Sequence, residues 1–154
     1  IMDHLAPLGP VYQAGTLSGN PLSVAAGLAT LRLATPEVYA AVDAAAAQVS
    51  EALDAALTAE GVVHAVPRAG SLFGVAFLPE VPLDYATALT QQSYRYAPFF
   101  HAMLDAGVSL PPSVFEAWFL TAAHDDVALD RVLEALPVAA KAAAEALDPT
   151  LLAQ

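Results

Sequence analysis

Two helix-start signals, Asn20-Pro21 and Thr35-Pro36, constrain the first half of the chain more than any other feature. A side-chain acceptor at the cap takes free N–H groups of the first turn, and proline at the first helical position loses no partner by lacking an N–H. The first signal predicts a helix over Pro21–Leu33. Its Leu22, Val24, Leu28 and Leu31, with small Ala25, Ala26, Gly27 and Ala29 between them, leave almost no polar face before Arg32, so this helix is expected to be buried on most sides. The second signal predicts a longer helix to about Glu60, with Glu37 in the first turn where the helix dipole favours an acid. Val38, Val42, Val49, Leu53 and Leu57 fall on one stripe and Gly61 stands just past the end, which makes this helix amphipathic and superficial.

The first twenty residues hold Pro7, Gly9, Pro10, Gly15 and Gly19 with no sustained period and read as loop. After Gly61 the pattern turns to short β-rich runs at 62–66 and 72–78 around a turn at 67–70, predicting an antiparallel pair. Residues 79–93 are irregular at first, with a helical turn near 85–90. A helix over about 96–106 carries Phe99, Phe100, Met103 and Leu104 and closes at Gly107. Short strands are expected at 108–110, stopped by Pro111 and Pro112, and at 117–121. The last helix starts near Asp125 and carries Val127, Leu129, Val132, Leu133 and Leu136, with Pro137 expected to kink or break it. Strands and helices do not alternate strictly, so the fold class is α+β: a small, mostly antiparallel sheet covered by helices. The alanine-rich pieces at 44–47 and 139–144 read as helix surface.

The chain is 154 residues long, the size of one ordinary domain with a real core. It has no cysteine, which removes disulfides, zinc ribbons, iron–sulfur clusters and thiol nucleophiles. The formal charge of -11 at pH 7 and five scattered cations make nucleic acid and anionic membrane surfaces poor partners. The mean hydropathy of +0.54 owes much to alanine, and no long apolar window runs free of charge or proline, so a soluble protein is expected. No basic start or apolar leader precedes the first loop, and Ile1 stands before Met2, as in a mature or excised piece.

Few residues are candidates for chemistry. Lys141, the only lysine, lies in an alanine-rich helix without the apolar pocket or neighbouring cation that a Schiff-base lysine needs, and reads as solvated. His4, His64, His101 and His124 are too far apart for a metal motif and read as structural or surface residues. No G-x-S-x-G elbow frames a serine. Glu116 differs: flanked by Phe115, Ala117, Trp118 and Phe119 after a proline turn, its carboxylate either emerges at a strand start or is partly buried among aromatics. The run Gln13-Ala14-Gly15-Thr16-Leu17-Ser18-Gly19-Asn20-Pro21 is a loop of small residues entering a helix, with backbone N–H groups and two hydroxyls, Thr16 and Ser18. Such a loop holds a phosphate without a cation, although it lacks the glycine spacing and lysine of a P-loop and equally serves as a plain helix entry.

The run from Val11 through Tyr12 to Pro21 resembles the signature of the glutamate-1-semialdehyde 2,1-aminomutase family, class III aminotransferase relatives of fold type I. A second block, Phe100-His101-Ala102-Met103-Leu104-Asp105-Ala106-Gly107-Val108, is followed by Pro112-Ser113, Phe115-Glu116-Ala117 and Ala123-His124 in the family's order. The broader class III aminotransferases share the Gly-Asn-Pro helix start and differ in what precedes it. The resemblance implies a pyridoxal 5'-phosphate or pyridoxamine 5'-phosphate enzyme, cytoplasmic and homodimeric, in which Gly15 and Thr16 bind the cofactor phosphate of the other subunit. Glu116 then lies near the cofactor as the catalytic candidate, positioning substrate or a lid, with Tyr12 close to the same site. The activity implied is an isomerase: intramolecular amino transfer converting glutamate-1-semialdehyde, a small-molecule substrate, into 5-aminolevulinate for tetrapyrrole (porphyrin) biosynthesis.

In this reading residues 1–34 are the end of the large cofactor domain and 35–154 the C-terminal α+β domain. The family's Schiff-base lysine falls upstream of the Gly15-Thr16 loop, outside the sequence, so the chain alone is expected to be inactive. Two other readings stand beside it: another class III aminotransferase, such as one acting on an ω-amino acid, and a non-catalytic acidic binding or dimerisation module. The apolar helix 21–33 predicts association when its apolar faces are uncovered.

Overall fold

In the computed structural model, which describes residues 1–150, the chain divides into two compact units, Ile1–Pro36 and a second beginning at Glu37. The first unit opens with a short 3-10 turn, Met2–His4. The backbone then doubles back around a cis Ala6-Pro7 bond: Leu5 and Val11 form a parallel bridge, and the Val11 amide donates to the His4 carbonyl at 2.9 Å. The segment read as plain loop is therefore closed on itself. Gly9 sits against the His4 carbonyl, where a Cβ would collide with backbone.

Helix α1, Pro21–Leu33, has the predicted ends. The Asn20 carboxamide oxygen accepts from the Leu22 and Ser23 amides at 3.1 and 3.2 Å, as a cap must. The expectation of burial fails: no residue of α1 is buried, and Leu22 and Leu31 are 82% and 68% exposed. An apolar surface all round a helix states what it prefers to touch, and burial requires neighbours to supply that contact.

The second unit holds the core. Helix α2, Pro36–Ala59, buries Ala46, Val49, Ser50, Leu53 and Leu57. It ends at Gly61, whose φ of 66° lets the Gly61 and Val62 amides reach the Thr58 and Leu57 carbonyls at 3.0 Å; these are the two bonds of a left-handed helix stop. The antiparallel pair forms as expected but shifted and shorter. Strands β1, Arg68–Ala69, and β2, Leu72–Phe73, pair with Arg68 opposite Phe73 and Ala69 opposite Leu72, while farther from the turn only the Ala65–Ala76 bridge continues the ladder. Hence β1 occupies residues read as turn, and the chain reverses at Gly70 with φ 61°. A third strand, β3 (Trp118–Phe119), adds antiparallel to β2 with Phe73 opposite Trp118, giving the order β1-β2-β3.

Helix α3, Tyr85–Ala88, is one capped turn, and α4 covers Tyr96–Asp105. The strand expected at 108–110 is absent. Gly107 (φ 84°) turns the chain so that the Val108 amide bonds Met103 O at 2.9 Å, and a backbone donor spent on closing a helix is not available for a ladder. Helix α5, Asp126–Ala144, starts with the Asp125 carboxylate accepting from the Ala128 amide and runs through Pro137 without ending. Pro137 is exposed, where water can satisfy the carbonyl that a proline leaves unpaired. Ala139, Ala140 and Ala143 are fully buried rather than on the helix surface. Their small side chains bring α5 close to its neighbours, and they join Leu53, Leu57, Phe99, Met103, Trp118 and Leu136 in one apolar cluster. The result is an α+β unit, a small antiparallel sheet with helices. Among the described residues no helix is long and apolar enough to cross a membrane.

Candidate functional site

Two places carry the residues singled out above, one in each unit. In the first unit, Gly15 and Thr16 lie in an exposed loop folded into two successive turns, with Ser18 N bonded to Gly15 O and Asn20 N to Leu17 O, both at 3.1 Å. A Cβ at Gly15 would meet the Ser18 hydroxyl, so a larger residue there would turn the Ser18 side chain away from its present position. The α1 N-terminus is already served by Asn20, so its first amides are not the ones on offer. Among the described residues, the N–H groups of Thr16 and Leu17 and the hydroxyls of Thr16 and Ser18 make no hydrogen bond, and the same holds for the Gln13, Ala14, Gly15 and Gly19 amides. Neutral N–H and O–H groups are the donors with which a loop can bind an anion without a cation. Tyr12 is 82% exposed beside them in sequence.

In the second unit, Glu116 is exposed on the rim of a cavity of about 460 Å³. Antiparallel pairing brings Arg68, Leu72 and Phe73 to one side of this cavity, and α3 with its flanks adds Pro82, Tyr85 and Gln91. Tyr85 and Phe115 face each other with ring centroids 6.2 Å apart. Arg68 and Glu116 are the only charged groups in an otherwise largely apolar lining. Arg68 is held by two carbonyls, donating from Nε to Gly70 O at 3.0 Å and from a terminal nitrogen to Asp43 O at 3.2 Å. Gln91 is buried and satisfied, accepting from the Phe77 amide at 3.3 Å and donating to Ala88 O at 3.0 Å. Glu116 has its backbone fixed by an N–H bond to Ser113 O at 3.1 Å. Of the two alternatives read for its carboxylate, emergence just before a strand is the one found.

Tyr96 shapes the same region from below. It is buried, and its hydroxyl donates to Pro111 O at 2.6 Å. Burial pushes the phenol up to about 12, and the Glu116 charge adds to the rise. Composition singled out Glu116 by its aromatic flanks, whereas Arg68, Gln91 and Tyr96 were not recognised. For Tyr96 a signal existed: it shares the buried stripe of α4 with Phe99 and Met103, and a phenol there needs a partner.

Three of the remaining candidates, Lys141, His64 and His124, have local partners. Lys141 is exposed and stands 3.9 Å from Glu145 one helical turn on. The His64 ring meets Val62 O at 2.8 Å and Asp54 Oδ1 at 3.2 Å, and the His124 Nδ1 accepts from the Thr121 amide at 3.1 Å. Among the described residues no three His, Cys, Asp or Glu side chains gather as a metal site would require.

Residues 1–136 match the family model described as aminotransferase class-III. An omega-transaminase from Sphaerobacter thermophilus is similar in structure with a TM-score of 0.75 at 22% identity, over 92% of this chain and 33% of that one. A beta-phenylalanine aminotransferase from Variovorax paradoxus gives 0.71 at 25% identity, over 89% and 32%. A transaminase with PLP bound gives 0.69 at 21% identity, over 94% and 34%. The chain spans about a third of the length of each of these structures.

Proposed function

Because the chain belongs to the class III aminotransferases, which depend on pyridoxal phosphate, we propose that it is the cofactor-phosphate loop and C-terminal domain of such an enzyme, and specifically of a glutamate-1-semialdehyde 2,1-aminomutase. The observation that carries the finer reading is the loop Gln13-Ala14-Gly15-Thr16-Leu17-Ser18-Gly19-Asn20-Pro21, whose Thr16 and Leu17 amides and two hydroxyls are available to an anion. Gly15 and Thr16 hold the phosphate of a cofactor in the partner subunit of a homodimer. When bound, pyridoxal phosphate supplies the electron sink for amino transfer; the protein supplies binding and orientation. Glu116 stands at the mouth of an apolar cavity, where a carboxylate attracts and orients the ammonium end of a small amino-acid substrate. Lys141 takes no part, since it is solvated and paired with Glu145.

A second reading, a transaminase that uses an external amino acceptor, is favoured by the structural likeness to an omega-transaminase and a beta-phenylalanine aminotransferase. One assay separates the two. The enzyme encoded by the full reading frame, given glutamate-1-semialdehyde and no acceptor, should form 5-aminolevulinate; turnover only when a keto-acid acceptor is consumed selects the transaminase. In the same enzyme Thr16→Ala should weaken cofactor affinity about tenfold or more, the usual cost of one hydrogen bond to a charged group. An unchanged affinity removes Thr16 from the phosphate site.

A further inference from the structure

One wall of the cavity that carries Glu116 on its rim is a loop that returns to the residue it leaves. The chain departs after Phe77 and comes back at Gln91 and Gln92, and both backbone groups of Phe77 meet that return. Its N–H donates to the Gln91 carboxamide at 3.3 Å, and its carbonyl accepts from the Gln92 amide at 3.2 Å. Phe77 and Gln91 are buried, so this neck is fixed to the core. Between the two the loop supports itself: the Asp84 carboxylate caps α3 at the Thr87 amide, 2.7 Å away, and the Thr90 hydroxyl closes onto Thr87 O at 2.8 Å. Among the described residues, 79–90 make hydrogen bonds only with one another and with Gln91, form no ion pair, and include no buried residue. What they turn toward the rest of the unit is Pro82, Tyr85 and Ala88, which line the cavity. Tyr85 reaches across the mouth, where its ring lies 6.2 Å from that of Phe115, the residue next to Glu116. A segment with a firm neck, its own internal bonds and few buried apolar contacts opens as one unit.

We propose that residues 78–91 form a lid over this cavity, hinged at Phe77 and Gln91, with Tyr85 latching on Phe115 as the gate through which substrate enters. The lid follows from the bonding of the loop itself; its service to substrate entry rests on the role given to Glu116 above. One aromatic pair outside the core favours the latched arrangement by about twofold to tenfold. Opening then belongs to the microsecond-to-millisecond range of lids, which relaxation dispersion reads. In the chain as it stands, amides over 83–90 should exchange together at one rate while those of α5 around Leu136 show no exchange. Tyr85→Ala should raise the open-to-closed ratio about twofold to tenfold, and Phe115→Ala, from the opposite side of the mouth, should do the same. The double variant should gain no more than either single one. Both side chains are exposed, at 71% and 50%, so neither change empties the core.

The chain has no cysteine, so a nitroxide on Ala86→Cys, exposed on α3, reports where the lid goes. Its broadening of the Glu116 and Ala117 amide signals should weaken in either variant, while its broadening of the Gln91 signal at the neck holds. Exchange spread over the whole second unit, no exchange over 83–90, or an open population that neither variant changes overturns the lid. In the full-length enzyme, on the substrate that the acceptor assay selects, Tyr85→Ala should change KM and kcat together and leave cofactor affinity as it was. Unchanged KM and kcat beside a loosened lid overturn the gate. Full activity of Glu116→Gln with the Tyr85→Ala changes intact supports the gate and removes only the role of Glu116.

Discussion

Helix α1 and helix α4 are built from similar material and meet opposite fates. Each is rich in apolar residues, yet α1 buries none of its side chains while α4 buries Tyr96, Phe99 and Met103. Capping does not account for it, since the exposed helix α1 is capped by Asn20 and the buried helix α4 has no side-chain cap. The difference is pattern. In α4 the apolar residues keep to a stripe that one sheet and one neighbouring helix can satisfy; in α1 they cover every face, and the first unit supplies nothing to cover them. A helix of the α1 kind is stabilised within its unit by its cap and its own backbone, and one of the α4 kind by packing.

That contrast is broken most directly by truncation. Phe99→Ala removes a fully buried ring and should lower the unfolding free energy by about 3–5 kcal/mol in a urea titration. Leu28→Ala in α1, where Leu28 is 48% exposed, should change it by less than about 0.5 kcal/mol. Comparable losses at the two positions would mean that α1 is packed in solution after all.

How much could be read before the structure follows the same division. The starts of α1 and α5 and the stops of α2 and α4 were legible because they are written locally: Asn20 and Asp125 accept from amides two or three residues on, and Gly61 and Gly107 adopt positive φ just past their helices. The strands were less so. The Arg68–Ala69 and Leu72–Phe73 ladder is only two residues long on each side, too short to show a period, the third strand joins it from far along the chain at Trp118–Phe119, and the apparent strand at 108–110 was lost to a helix stop that spends the Val108 amide on Met103. The cavity was illegible for the same reason. Its residues come from 67–76, 82–91 and 114–117; the antiparallel register joins the first and last of these, and bonds between Phe77 and residues Gln91 and Gln92 tie in the middle one. Glu116 stood out through its neighbours in sequence; Arg68 and Tyr96 act through neighbours in space.

The second unit also carries a pH signature. The Tyr96 phenol is pushed up from 10.0 to about 12 in the folded protein, so the folded state holds this proton more tightly than the unfolded chain. Its contribution is complete below pH 10 and is lost as pH rises through 12, an effect of the order of 2 kcal/mol. Tyr96→Phe should be less stable than the parent near neutrality and lose less stability over that alkaline range. Parallel curves for the two proteins would show that another group governs the alkaline limit.

The smallest effect sharpens the comparison most, because the same chemistry is removed from both units. Asn20→Ala and Asp125→Ala each delete one side-chain cap, a local cost of about 1 kcal/mol. In α5 that cost is shared with the packing of Leu129, Leu136 and Ala140, so the helix stays fully formed and only the urea midpoint of the second unit moves. In α1, with 13 residues and no buried face, nothing absorbs the loss: a helix of that length is marginal by itself, and carbon chemical shifts over 21–33 should drift toward coil while the second unit's midpoint stays fixed. A midpoint shift with intact α1 shifts would show that α1 is stabilised by burial in solution and would erase the distinction between the two helices.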